Sequence, residues 1–327
     1  MNNSIKFLIK EKNVNERIDV FLSKKINYLT RSNIKKIIQS NLVKINNKSV
    51  DSPSKKIKAN DTIIIVIKPV QSKKLLPKKI KLDVQFEDKD ILIINKPKGM
   101  VVHPGAGNYN NTLANGLIYK YRNHLSNING ELRPGIVHRI DKETSGLLVI
   151  AKNNLAHSKL GKQFSEHSIK RKYLCLVWGV IRPFKGQIKT LISRSKKNRQ
   201  LMTVTDVKGK QAITNYKTIK LFNIKNVPKI SLIECELETG RTHQIRVHMT
   251  SINNPLIGDK LYGKSKINQF GKDKETFNKF LILKNFSRHA LHSYKLGFTH
   301  PTNKKYVEFK LELPKDMREL LELLVKY

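Results

Sequence analysis

Two stretches of this 327-residue chain carry residue types and spacings that could do chemistry. The first, residues 133–152, reads RPGIVHRIDKETSGLLVIAK. Its Asp141 has His138 and Arg139 on one side and Lys142 on the other, and Thr144, Ser145 and Gly146 follow. A carboxylate set among cations suits catalytic work. It equally suits a surface turn in which the Asp accepts amide hydrogen bonds and pairs with Arg139 or Lys142. The apolar run 147–151 reads as a buried strand, which puts the polar cluster on a loop anchored by a rigid element. The second stretch, residues 237–249, reads LETGRTHQIRVHM and offers Arg241, His243, Arg246 and His248. A guanidinium presents a fork that matches a carboxylate. The two histidines are five apart, not the four that would set two ligands on one helical face, so no metal site is expected.

Period and punctuation predict the elements that must position these residues. An alternating strand over 230–237 leads into the second stretch, and a helix from Thr242 places Ile245 and Met249 on one face. Apolar strands are expected over 91–94 and 169–177, the latter carrying Tyr173. Helices are expected over 111–121, with Leu113, Leu117 and Ile118 inward, and over 155–164. A further helix starts at Pro314 and turns Leu320, Leu321, Leu323 and Leu324 to one side. Strands predominate between residues 86 and 312, so the body is α+β. Gly105 and Gly107 lack the flanking spacing of a nucleotide-binding loop, and His103 beside them suits a turn or an RNA contact. The segment SRSKKNRQLM offers Arg194, Lys196, Lys197 and Arg199, either to RNA or to solvent on a hairpin.

The first eighty residues read differently. Ile18, Phe21, Leu22 and Ile26 define one helix face. Thr30 caps a second helix with Ile34, Ile37 and Ile38 inward and Arg31, Lys35 and Lys36 outward. Short strands at 42–45 and 62–67 follow, the first closed by an Asn46-Asn47 turn. The prolines and lysines beyond them mark a boundary, giving a first domain at 1–70, a linker at 71–84 and a second domain at 85–327.

Lys and Arg total 64 against 25 Asp and Glu, a formal net charge of +39. Part of the lysine excess tracks the abundance of Asn and Ile, but the charge still makes a polyanion the leading partner, nucleic acid ahead of an anionic membrane surface. No run reaches the roughly 20 apolar residues of a membrane span, and no secretory core is evident at the start. Cys175 and Cys235 sit in apolar runs without ligand spacing and read as reduced packing residues of a cytoplasmic protein.

The wording of residues 138–148 resembles the signature of the RluA family of RNA pseudouridine synthases, usually H-R-L-D-x-x-T-S-G-L-L, with Ile140 in place of Leu. The second stretch, PLIGDKLYG from residue 255 and RHALHSYKLGFTHP from residue 288 match the family as well. The resemblance implies a mixed, mainly antiparallel sheet with a central cleft and a cofactor-free isomerase. In it Asp141 is the catalytic carboxylate, Arg246 pairs with it, and Tyr173 stacks on the base. His138, Arg139, Thr144, Arg241 and Leu291 are the implied substrate contacts, Leu291 with a core role as an alternative. Arg139 would fill the space left by a flipped nucleotide or touch its phosphate. HPGAGN at 103–108 resembles the branch acting on large-subunit ribosomal RNA, so that RNA or its precursor is the implied partner of a monomer. The N-terminal pattern resembles the S-four-type RNA-binding module, whose implied phosphate contacts are Arg31, Lys35 and Lys36. Three other readings remain: a C-type branch of the same family with other large-subunit ribosomal RNA targets, a hydrolase pairing Asp141 with Glu143 or Glu238, and a non-catalytic RNA-binding ribosome-assembly protein.

Overall fold

Apolar residues at spacings of three and four build the first helix pair. The structure, a computed structural model, describes residues 3–26, 29–67, 75–105, 107–122, 124–224, 227–263 and 274–325. The chain divides into two units, Met1–Lys73 and Lys74–Tyr327. In the first, helices α1 (Ile18–Lys25) and α2 (Arg31–Gln39) bury Ile18, Phe21, Leu22, Ile34 and Ile38 against a four-stranded sheet. Its strands are β1 (Asn3–Leu8), β2 (Val43–Ile45), β3 (Lys48–Ser49) and β4 (Thr62–Ile67), in the order β1-β4-β2-β3. The Thr30 hydroxyl caps α2 by accepting the Asn33 N–H at 3.3 Å. Strand β1 is the element the sequence does not announce: NSIKFL has only Ile5 and Phe7 at period two and is ordered by its antiparallel pairing with β4.

Asp19 is fully buried in this unit and accepts from Arg17 Nε and Arg31 Nε, each at 3.0 Å, with Lys35 Nζ at 3.8 Å. Burial pushes its carboxyl up, and the hydrogen bonds from Arg17 and Arg31 bring the net shift below the ordinary value. The expected basic face of α2 is therefore partly preset. Arg31 and Lys35 are drawn to one carboxylate, while Lys36 stays exposed without that anchor.

The second unit is built on one sheet of ten strands: β5 (Asp83–Glu87), β6 (Ile91–Lys96), β7 (Ser145–Ala151), β8 (Lys170–Trp178), β9 (Lys185–Arg194), β10 (Met202–Thr205), β11 (Lys210–Phe222), β12 (Ile230–Leu237), β13 (Leu291–Thr299) and β14 (Tyr306–Lys310). Their order is β10-β9-β11-β12-β8-β13-β7-β6-β5, with β14 also on β13. All these pairings are antiparallel except β7 with β13. One face packs on α3 (Leu113–Tyr121) and α5 (Gln244–Ser251). The other packs on α4 (Asn154–Ser165), α6 (Lys274–Lys284) and α7 (Lys315–Val325). This is the mixed, mainly antiparallel α+β architecture expected.

Two boundaries differ from the sequence reading. Residues 75–82, read as linker, lie on α3: Leu75 is buried, Asn115 Nδ2 donates to the Leu76 carbonyl at 2.8 Å, and Ile80 and Leu82 crowd Gly116. Their lysines hide an apolar spacing. In addition α5 starts at Gln244, because His243 adopts a left-handed conformation with φ of 57°. Among the described residues, no helix is long and apolar enough to cross a membrane.

The parallel pair β7–β13 brings Gly146, Ser293 and Tyr173 into one cross-strand row. Gly146 has φ of +113°, and a Cβ there would lie 2.2 Å from the Ser293 carbonyl oxygen. The glycine of the Thr-Ser-Gly wording is thus a packing requirement next to Asp141. Gly146→Ala is expected to destabilise the protein by about 3 kcal/mol or more in urea unfolding. Gly161→Ala, in α4 with open space around its Cβ position, should change stability by less than about 1 kcal/mol or raise it.

Candidate active site

The segment that carries Asp141 runs back along β7 before turning. Ile136 bridges Ile150, and His138 Nε2 accepts the Val149 N–H at 3.0 Å while its ring lies against Phe164 at 4.7 Å. Burial, aided by the charge of Arg171, pulls His138 down to about 3, so the ring is neutral. Past the buried Ile140 the chain turns, with the Thr144 N–H on the Asp141 carbonyl at 3.1 Å. Three buried groups then hold the turn. Lys96 Nζ donates to the carbonyls of Pro97, Met100 and Lys142 at 2.7, 2.9 and 3.0 Å. Arg288 Nη1 donates to the Glu143 carbonyl at 3.1 Å, while its Nε and Nη2 fork onto Asp316 of α7 at 2.8 and 3.1 Å. The Thr144 hydroxyl is hydrogen-bonded to His289 Nε2 at 2.8 Å, and burial lowers that imidazole to about 3.

The carboxylate itself meets Arg246 Nη1 at 3.1 Å. The other edge of the same guanidinium forks onto Asp259, Nε to Oδ2 at 2.7 Å and Nη2 to Oδ1 at 2.9 Å. Burial alone would raise Asp259, but its bonds from Arg246 and the Tyr262 amide bring the net shift down. Tyr262 lies under the guanidinium at 4.9 Å. Its hydroxyl accepts the Met202 N–H and is hydrogen-bonded to His243 Nδ1, both at 2.8 Å. His243 Nε2 lies 3.9 Å from Asp141 Oδ2.

Around Asp141 lies an open cavity of about 450 Å³. Arg246, Tyr173 and Leu291 line it with Asp141, as do Arg139, His138, Thr144 and Arg241. Tyr173 and Leu291 are buried and Arg139 is exposed. Burial raises the Tyr173 phenol, which stays protonated. Arg241 has its Nε committed to the Gln211 carbonyl at 2.8 Å. Thr144 and His138 spend polar atoms on the loop's own architecture. Among the described lining residues Asp141 is the sole carboxylate, facing the guanidiniums of Arg139, Arg171, Arg241 and Arg246.

A family model described as RNA pseudouridylate synthase matches residues 90–251, and one described as S4 domain matches residues 16–63. A protein of Zymomonas mobilis named ribosomal large subunit pseudouridine synthase D is 44% identical over 320 residues, covering 97% of this chain and 96% of that one. An uncharacterized RNA pseudouridine synthase of Bacillus subtilis is 42% identical, covering 99% of each.

The chain belongs to the RNA pseudouridine synthase family.

Its activity is isomerisation within RNA, and its fold is also that of human RNA pseudouridylate synthase domain containing 1, at a TM-score of 0.54 and 22% identity, covering 75% of this chain and 94% of that one. The synthase brings together the eight sequence-predicted residues of the second unit, while Arg31, Lys35 and Lys36 stand on the first. Sequence reading missed Asp259, Lys96, Arg288 and Asp316. Acids are scarce in this chain, and an Asp inside PLIGDKLYG was the available signal for Asp259. Away from the cavity, Asp88, Asp90 and His300 bring donor atoms within 4.8 Å of one another. His300 Nδ1 accepts the N–H groups of Thr302 and Asn303, so its proton is on Nε2 and goes to Asp88 at 2.8 Å. A ring in that tautomer has no free lone pair for a metal.

Burial pulls Lys96 down to about 7, against the charges of Glu143 and Asp141, which raise it. An unfolded lysine titrates near ~10.4. Between those values the unfolded chain holds a proton that the folded one has released, so stability rises with pH. Wild-type stability relative to Lys96→Met is expected to increase from about pH 7 to about pH 10 in urea titrations. A flat or falling difference would contradict this.

Proposed function

We propose that this synthase converts specific uridines of large-subunit ribosomal RNA to pseudouridine, with Asp141 as the carboxylate that acts on the ribose. One observation carries the catalytic assignment: Asp141 is the sole carboxylate lining the described cavity, and a buried, doubly anchored Arg246 aims it. The substrate class is supported by the names of relatives in Zymomonas mobilis and Neisseria meningitidis and by the net charge of +39. The hydrolase reading needs a second carboxylate in the same cavity. Glu238 instead accepts from Asn215 and Gln187, and Glu143 shares with Asp141 a neighbouring recess rather than the cavity that holds Tyr173.

The target uridine flips out of its stack at a cost of a few kcal/mol, which phosphate contacts offset. Arg139 is the exposed cation at the site, and Arg31, Lys35 and Lys36 of the first unit hold RNA nonspecifically. Tyr173 presents a flat ring to the base, and Leu291 backs it. Asp141 promotes breakage of the C1′–N1 bond, and the detached uracil turns within the cavity. A C1′–C5 bond then forms, the C5 proton leaves and N1 gains one, so the product is an isomer.

The test is pseudouridine mapping by carbodiimide labelling and reverse transcription on unmodified large-subunit ribosomal RNA. Wild type should create new stops, and Asp141→Asn should lose at least about 10²-fold in rate. Asp259→Asn removes no group from the cavity but releases Arg246. It should lower kcat by about 10²-fold with KM little changed. Absence of stops with wild type on this RNA would refute the substrate assignment.

A further inference from the structure

Every other buried cation around the site has its charge answered. Arg246 has Asp259 and Asp141, Arg288 has Asp316, and Lys96 has three carbonyls with Glu143 and Asp141 nearby. Arg171 does not. It is 7% exposed and lies on β8, two residues before Tyr173 and hence on the same face of the strand. Its Nη2 donates to the carbonyls of Leu237 and Glu238 at 3.3 and 2.9 Å, and its guanidinium lies over the Phe164 ring at 5.3 Å. Its Nε is buried with no hydrogen-bond partner among the described residues. The ionisable groups that bear on it are Tyr173, Arg241 and the neutral His138, and no carboxylate among the described residues forms an ion pair with it. On its other side Gly240 leaves room: a Cβ there would fall 2.7 Å from Nη1.

A buried guanidinium without a counter-charge is costly. This one also lines the cavity that holds Asp141. A cost of that kind is sustained where the missing charge arrives with the substrate or develops on it. The exposed Arg139 and half-buried Arg241 are better placed for the RNA backbone, which remains outside. The group that enters is the base.

We propose that Arg171 forms an anion subsite within the cavity, taking an anionic oxygen of the flipped nucleotide, namely O2 or O4 of the uracil while it is detached from the ribose. This rests on the reading that the isomerisation occurs at Asp141. When C1′–N1 breaks, the bonding pair passes to N1 and its charge spreads onto O2 and O4. Arg171 donates hydrogen bonds to that charge from a site fixed in advance. The charge is discharged as C5 bonds to C1′ and the C5 proton is transferred to N1. No other reactant is needed. A phosphate oxygen offers the same chemistry from a second source, and kinetics separate the two.

The experiment uses the full chain in wild-type, Arg171→Lys, Arg171→Met and Gly240→Ala forms. Single-turnover rates at saturating large-subunit ribosomal RNA are measured together with RNA Kd across a salt series and thermal unfolding. For uracil, Arg171→Met lowers the rate by about 10²-fold, leaves Kd and its salt slope unchanged, and Arg171→Lys recovers part of the loss. Gly240→Ala, which displaces Nη1 while keeping the charge and the carbonyl bonds, lowers the rate without lowering the melting temperature. For a phosphate, Kd weakens and the salt slope falls by about 0.7, which keeps the anion subsite and moves its occupant. Wild-type rate and Kd in all variants would overturn the proposal. So would an Arg171→Lys no better than Arg171→Met, with melting lowered in both and Gly240→Ala unaffected, since Arg171 would then only tie β8 to β12. Inactive wild type would refute the reading of the site itself, a different result from active wild type with indifferent variants.

Discussion

One guanidinium shared by two carboxylates is the interaction on which the rest of the site depends. Arg246 is buried, and Asp259 alone supplies a bidentate partner for it. Removing one member of such a buried set typically costs about 3–5 kcal/mol, because a charge is left uncompensated. Asp259 therefore does something Asp141 could not do for itself. It supplies Arg246 with a counter-charge that does not depend on Asp141. The triad ties α5, which carries Arg246, to the Asp141 turn and to the loop after Gly258.

The backbone of the turn is fixed by different means. Its carbonyls at Lys142 and Glu143 are tied by Lys96 from the end of β6 and by Arg288 just before β13. Both cations are buried, so the loop is gripped from inside the fold. A protein with so many cations on its surface thus also uses cations in its interior, as clamps on main-chain oxygens. The two populations serve separate ends, one steering a polyanion and the other fixing geometry.

Much of this was legible in the residues. The helix faces in the first unit, the Thr30 cap and the strand after Asp141 follow from local spacing and turn chemistry, and the structure keeps them with shifts of a few residues. Asp141, Tyr173 and Arg246 stood out because their wording resembled a known signature, and they share one cavity. Lys96 and Arg288 were illegible for a physical reason. A lysine after an apolar strand or an arginine beside a histidine looks like surface, and only the tertiary fold turns it inward. Strand β1 and residues 75–82 were hidden in the same way, because each is ordered by an apolar surface made elsewhere in the chain. His243 broke the helical reading because its left-handed backbone lets Tyr262 hold the ring.

The fork from Arg288 to Asp316 has a consequence in time. The turn bearing Asp141 is tied to a side chain on α7, which a ribosome makes much later. At ordinary elongation speeds of about 5–20 residues per second, the delay is on the order of tens of seconds. The sheet can form strand by strand during that interval, but the turn bearing Asp141 lacks one of its ties until α7 emerges. The final geometry of that turn is in this sense a late event of synthesis, acquired when α7 closes back on the sheet.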